Sequence, residues 1–220
     1  MRFDKLIPYT GMFISGIKMT LKYTALSLVL GIILGLIIGI IKLSNNPVCK
    51  ILKPLTKIFT ALFRGIPLMV MLFMVYYATP QVLNIPLSAI GAGVSVFGLN
   101  TAAMTSEVFR AGIDSVPKGQ MEAALALGVK KGRAMLDIVI PQALKSILPA
   151  LVNESISLLK TTSLISVLGV ADIMRTANLV LAQTYTAFEP FVIAAVLYFV
   201  MVYILTFLSN MLEKGLRKGD

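Results

Sequence analysis

Glu122-Ala123-Ala124-Leu125-Ala126-Leu127-Gly128, with Ile140-Pro141 twelve residues beyond the glycine, is an alanine-rich cassette set between two long apolar stretches. Alanine is the best helix former and has little bulk, and glycine commonly follows the last turn of a helix. The cassette therefore predicts a short helix halted at Gly128. Upstream, Ser115 is placed to cap it and Pro117 suits its first turn. Glu122 falls early, where the helix dipole favours an anion. A second short helix is expected from about Lys130 into Ile140-Pro141. A polar helix between membrane spans, faced with small side chains, is suited to settle into a groove on a cytoplasmic partner. Spacing alone also allows an amphipathic loop on the lipid surface, held by Lys130, Lys131 and Arg133.

The sequence around the cassette is that of a polytopic helical membrane protein. It is 57% hydrophobic and only 14% charged, against roughly 25% charged in soluble domains. The runs Val82 to Ser106, Thr176 to Phe188 and Pro190 to Leu212 carry no charge. Continuous apolar runs of roughly 18 residues read as helical spans, whereas a β-barrel needs alternation. Five spans are expected, over about residues 10–41, 58–79, 86–111, 147–168 and 190–212, with a cytoplasmic region at 115–141. No linker separates domains, so residues 1–220 read as one transmembrane domain. The stretch Ala25 to Ile41 is too long for a signal-peptide core and lacks a cleavage site, so it reads as a retained span. Gly31, Gly35 and Gly39 within it form a small-xxx-small ridge suited to close helix packing.

Charge sets the expected topology. Lys42, Lys50, Lys53 and Lys57 follow span one; Lys118, Lys130, Lys131, Arg133 and Lys145 follow span three; Lys214, Arg217 and Lys218 are in the tail. The opposite side holds only Arg2, Lys5 and Arg175. By the positive-inside rule the N-terminus is outside, the C-terminus and the cassette cytoplasmic. The same placement accounts for the net charge of +10 without nucleic acid. With no histidine and one cysteine, Cys49, the chain has neither a His/Cys metal site nor an internal disulfide. It also lacks a clustered acid pair for catalysis.

Ionisable groups within a span are costly and mark candidate sites. On the fourth span Asn153, Glu154, Ser157, Lys160 and Thr161 fall within an arc of about 120° at 100° per residue, with Ile156, Leu158 and Leu159 outside it. One wet and one apolar face suit a helix lining a passage. Asn100 and Thr101 interrupt the third span and are placed to line the same route. On this reading Glu154 meets an α-ammonium group and Lys160 an α-carboxylate. The alternative is that both are structural, pairing with neighbouring helices or a second subunit. Glu107 and Arg110, three apart, suggest a local ion pair bracing the cassette. Arg64 is expected at the inner interface, snorkelling toward water or phosphate.

Several motifs together carry a family resemblance. The E-A-A-x-x-x-G pattern at Glu122 to Gly128, then Ile140-Pro141, resembles the coupling-helix signature of ABC importer permeases. Phe63-Arg64-Gly65-Ile66-Pro67-Leu68 is similar to the F-R-G-T-P-L segment of permeases for polar amino acids, and Tyr76-Tyr77 match an aromatic pair there. Glu107 to Ile113, Ser115 to Gln120, Pro141-Gln142-Ala143, Asn153-Glu154 and Leu159 to Leu164 match further segments, so that the similarity covers about Thr20 to Leu216. The resemblance implies an all-α type I importer permease in a bacterial inner membrane. It implies Gln120, Glu122, Ala123, Ala124, Leu127 and Gly128 as ATPase-coupling residues. Implied partners are a second permease subunit (identical or not), two ATP-binding cassette subunits, an extracytoplasmic binding protein, membrane lipid and an amino acid, with polar amino acids or cystine as the expected cargo. The chain has no G-x-x-x-x-G-K-[ST] loop, so ATP and Mg are expected in the partner ATPase and no cofactor in this chain. A stand-alone secondary transporter or channel is the alternative; five spans do not divide into equal repeats, and the cassette would be unexplained.

Overall fold

The computed structural model describes residues 2–44 and 46–217, almost entirely helical. A 3-10 turn, Phe3–Tyr9, leads into α1 (Thr10–Leu43). Then follow α2 (Pro47–Gly65), α3 (Leu68–Phe73), α4 (Thr79–Leu83), α5 (Ala89–Asp114), α6 (Lys118–Ala126), α7 (Lys131–Ala134), α8 (Ile140–Thr161), α9 (Ile173–Thr184) and α10 (Phe188–Arg217). Two π-helical turns, Met74–Ala78 and Met135–Val139, join α3 to α4 and α7 to α8. Each ends two residues before a proline, Pro80 or Pro141. Proline lacks an N–H and crowds the carbonyl four residues back, so the preceding turn widens. A 3-10 stretch, Thr162–Leu168, extends α8.

Among the described residues, three helical stretches are long and apolar enough to cross a membrane: Phe3–Leu43, Lys131–Leu168 and Phe188–Gly215. The expected second span is not one straight helix. Pro47–Gly65 and Leu68–Leu83 meet at 105° and make a fourth crossing only if taken together. The reason lies in Ile66-Pro67: the ring of Pro67 excludes α geometry at Ile66, which is extended at φ −95°, ψ 132°. The remaining expected span corresponds to α5, which starts at Ala89 rather than 86, its end capped by the Ser88 hydroxyl accepting from the Gly91 N–H at 3.0 Å. Helix α9 was not expected. Its apolar residues Ile173, Ala177 and Val180 are buried, and its 12 residues are too few to span.

Packing is inside-out relative to a soluble protein. Helix α1 buries Gly16, Thr20, Ser27, Gly31, Gly35 and Gly39 while Ile33, Leu36, Ile37 and Ile40 are exposed. Small residues let backbones approach where lipid already satisfies the large ones. The glycine ridge read from sequence packs on α5: a Cβ added at Gly31 would stand 2.5 Å from Thr101 Cβ, and one at Gly35 would overlap the Thr105 hydroxyl. That hydroxyl is shared between the Thr101 carbonyl of its own helix at 2.8 Å and, across the seam, the Gly31 carbonyl at 3.1 Å.

Two apolar clusters complete the bundle. One joins Tyr23, Leu72, Val96, Phe97 and Ile165. The other, next to it toward the N-terminal end of α1, joins Leu6, Phe13, Ile173 and Val180. Beside the second, Asp172 lies in the bend before α9, only 1% exposed. Its carboxylate accepts the Arg175 N–H at 2.7 Å and the Tyr198 hydroxyl at 3.4 Å. Burial pushes its carboxyl up to about 6, outweighing those bonds.

Candidate functional site

A polar cavity of about 200 Å³ lies between α5 and α8. Asn100, Thr101 and Met104 line it from α5, Glu154, Ser157 and Thr161 from α8, and Leu68 closes it from beyond the Ile66-Pro67 break. Five of the seven residues read as a wet route, Asn100, Thr101, Glu154, Ser157 and Thr161, therefore share one space. Asn153 and Lys160 are exposed and do not line it. The arc on α8 is wider than the cavity: its Glu154 edge lines the space and its Lys160–Asn153 edge faces away.

Within the cavity the polar groups differ in what they are free to do. The Asn100 side-chain amide donates to the Phe63 carbonyl at 3.0 Å. That carbonyl sits at the end of α2, where the break leaves helix carbonyls without intrahelical partners. Asn100 thus ties the break to the middle of α5. Arg64, next to Phe63, is exposed beside that break. The Thr161 hydroxyl donates back to the Ser157 carbonyl at 2.8 Å. Glu154, half-buried, makes no ion pair among the described residues, and neither does Lys160. An unpaired carboxylate on a cavity wall is a fixed acceptor for a cationic group.

Leu68, Phe97 and Leu158 line the cavity without having been singled out from sequence. They are apolar residues on apolar faces. The usable signal was Pro67, whose effect on Ile66 brings Leu68 round to α5.

At the lysine-rich end, α1 and α5 are cross-linked by charge. Lys42 Nζ donates to Glu107 Oε1 at 2.6 Å and to the Ser106 hydroxyl at 3.0 Å, with its side chain only 7% exposed. Glu107 also pairs with Arg110 at 3.0 Å, and Arg110 with Asp114 at 2.8 Å. The Glu107–Arg110 pair was expected from its spacing; Lys42, 65 residues away, was not.

Helix α6 hangs beyond this ladder. Ser115 does not cap it. It is the C-cap residue of α5, its hydroxyl donating to the Gly112 carbonyl at 2.7 Å, and Pro117 takes the N-cap place of α6. The far end is as read. Gly128 adopts φ +80°; its N–H donates to the Leu125 carbonyl and the Val129 N–H to the Ala124 carbonyl, both at 3.0 Å. This pair of bonds is a Schellman motif, which requires a left-handed residue at the glycine position. Ala124 is buried, while Gln120, Glu122, Ala123 and Leu127 point outward, Leu127 at 85% exposure. From Lys131 the chain is helical without interruption through α8, so the outward face of α6 is one glycine turn from the rod that carries Glu154.

Residues 23–218 match the family described as binding-protein-dependent transport system inner membrane component. A putative glutamine transport system permease protein of Rickettsia typhi is 41% identical over 210 residues, covering 96% of this chain and 95% of its own. The arginine transport system permease protein ArtQ of Bacillus subtilis is 40% identical over 219 residues, 99% of this chain and 98% of its own. Among solved structures, an amino acid ABC transporter crystallised with histidines superposes with a TM-score of 0.91 at 40% identity, covering 97% of this chain and 98% of its own. The fold recurs at 18% identity in the MetNI methionine ABC transporter, with a TM-score of 0.77.

Proposed function

Because the chain belongs to the family of inner membrane components of binding-protein-dependent transport systems, we propose that it is the permease subunit of an ATP-driven importer of polar amino acids. The carrying observation is the join between two features. A cavity with a free carboxylate, Glu154, lies on the same continuous helical rod that begins one glycine turn after an outward-facing helix, α6. The first supplies a place for a zwitterion; the second supplies a handle by which another subunit moves it.

In this reading the bent pair α2 and α3–α4 is one broken span and α5 is the third of five crossings, α5 tolerating its polar residues because neighbours cover them. The whole chain acts as one permease domain in a bacterial inner membrane, N-terminus outside and C-terminus cytoplasmic. It pairs with a second permease subunit and receives cargo from an external binding protein. Two ATPase subunits dock on Gln120, Glu122, Ala123, Leu127 and Gly128, with Leu127 as the apolar knob, and hold ATP and Mg; Ala124, buried, seats α6 on its own chain instead. Their closure on ATP moves α6 and α8, exposing the cavity to the two sides in turn. Only differential contact in the two states can drive such a shift, and the exposure of α6 leaves it available for that contact. Glu154 receives the α-ammonium group, with Asn100, Ser157 and Thr161 around it. Asn153 and Lys160 extend the polar surface outside the cavity, where Lys160 is placed for a carboxylate entering or leaving.

The test is co-purification of the tagged chain from its own membranes in mild detergent. An ATPase subunit is expected, and its loss on combined Glu122→Ala and Gly128→Val substitution. A well-folded chain that yields no ATPase even after cross-linking would sink the reading.

A further inference from the structure

We propose that a groove at the lysine-rich end of the bundle binds an anionic phospholipid, one acyl chain in the groove and the phosphate on Lys131. The groove has a volume of about 590 Å³ and lies between the last turns of α1, the end of α5 and the α7–α8 junction. Leu36, Ile40, Phe109, Met135, Ile140 and Leu144 make its walls. Its polar groups are few and lie at one end, at Ser44 and Lys131. From Leu36 to Ser44 is eight residues, about 12 Å along a helix, so the slot runs from the hydrocarbon-facing part of α1 to its terminus.

Three observations choose the occupant. Leu36, Ile40 and Leu144 are each more than a third exposed, so the slot opens outward from the bundle. In hydrocarbon such a slot is filled by an acyl chain, whereas a water-filled apolar slot has no polar partners for its water. Lys131 is exposed and makes no ion pair among the described residues, while its neighbour Arg133 is engaged with Asp137 at 3.8 Å. A free lysine at a headgroup level favours anionic over neutral lipid by about fivefold. Gly132 leaves the rim clear, since a Cβ there would meet nothing within 4 Å. A neutral phospholipid fits the slot but leaves the lysine unused; an isolated lysine without the slot would only snorkel. The combination selects an anionic phospholipid. The site shares no residue with the cavity at Glu154, and it stands whether or not the cargo is an amino acid.

The chain contains no tryptophan, which permits a direct test. The full chain, with the subunits that co-purify with it, is reconstituted in phosphatidylcholine vesicles carrying brominated phosphatidylglycerol or, separately, brominated phosphatidylcholine over the same series of mole fractions. Leu144→Trp reports the groove, Leu36→Trp is the second reporter where the first does not assemble, and Leu26→Trp, exposed elsewhere on α1, reports ordinary surrounding lipid. Fluorescence of the unsubstituted complex is subtracted. Half-quenching of the groove reporter is expected at about fivefold less brominated phosphatidylglycerol than phosphatidylcholine. Lys131→Gln should erase that difference, and the Leu26 reporter should show none. Equal quenching of the groove reporter by both lipids would overturn the proposal as ordinary annular contact. No quenching by either would overturn it by showing the slot covered by protein.

Discussion

Helix α5 turns two unlike faces to its neighbours. Toward α1 it presents Thr101, Thr105 and Gly98 to a ridge of glycines, at distances that leave no room for a single added carbon at Gly31 or Gly35. Toward α8 it presents Asn100, Thr101 and Met104 to an open space holding an unpaired carboxylate. The sealed side is held by backbone proximity, a cross-seam hydroxyl bond and the Lys42–Glu107–Arg110–Asp114 ladder. The open side is held at its margins. A permease needs both: one pair of helices that moves as a block, and one pair whose separation changes as cargo passes. On the proposed function, the α1–α5 pair is the block and α5–α8 the changing pair.

This contrast can be broken from either side. The largest effect is expected at the seam. Gly35→Leu must part α1 from α5 or displace Thr105; overpacking usually costs about 1–3 kcal/mol, and here it acts on backbone contact. We expect loss of monodisperse protein by size-exclusion chromatography, while Gly11→Ala, which meets nothing within 4 Å, behaves as the parent. A normal elution profile for Gly35→Leu would mean the seam is not rigid. On the open side, Glu154→Gln should lower amino acid uptake in proteoliposomes about tenfold, as loss of a charge-assisted bond of roughly 1.5 kcal/mol or more implies, and leave ATPase co-purification unchanged. Unaltered uptake and substrate profile would remove Glu154 from the pathway.

Gly128→Val tests the link between the handle and the open side. A β-branched residue at φ +80° costs about 1–3 kcal/mol, so the Schellman turn should loosen. ATPase activity is then expected to lose its stimulation by transport substrate before folding is lost, and an intact stimulation would show that the turn transmits nothing.

Away from both faces, Asp172 makes stability depend on pH. Its folded carboxyl titrates near 6, above the unfolded value, so between about pH 4 and 6 the folded state holds a proton that the unfolded state has released. Stability should fall as pH rises through that window, by about 1–3 kcal/mol, and level off above it. Thermal unfolding of Asp172→Asn should lack this slope. The smallest effect is expected from Thr105→Val, which removes the seam hydroxyl but keeps its shape: about 0.6 kcal/mol by comparison with other membrane hydrogen bonds, read as a slight fall in thermal midpoint.

What was legible in the sequence was what depends on neighbours along the chain. The glycine ridge at 31, 35 and 39, the stop at Gly128 and the polar run from Asn153 to Thr161 are local patterns, and each has the local form expected of it. Residues brought together by folding were hidden. Nothing near Lys42 announces Glu107, and Leu68 joins Glu154 only because the chain turns at Ile66. That turn was readable in principle, since proline restricts its predecessor, but Pro67 lies in an apolar run whose length argued for continuity. Helix α9 escaped for the opposite reason, its polar residues and 12-residue length resembling a loop between spans. The same limit applies to the arc on α8: angular position separates wet from dry faces, but which part of the wet face meets α5 depends on α5.

The uninterrupted helical stretch from Lys131 to Leu168 also has a mechanical meaning. Glu154 stands 23 residues from Lys131, about 35 Å at 1.5 Å per residue, so the stretch is a crank whose short end lies beside α6 and whose long arm carries the carboxylate. A swing of about 10° about its base would carry Glu154 sideways by about 6 Å on that length, more than the width of a backbone. The π turn at Met135–Val139 lies near the base, where loosened backbone hydrogen bonding lets a rod bend without breaking. A small displacement at the handle would therefore reach the cavity magnified, and the tight seam behind it would serve as the fixed frame against which the arm turns.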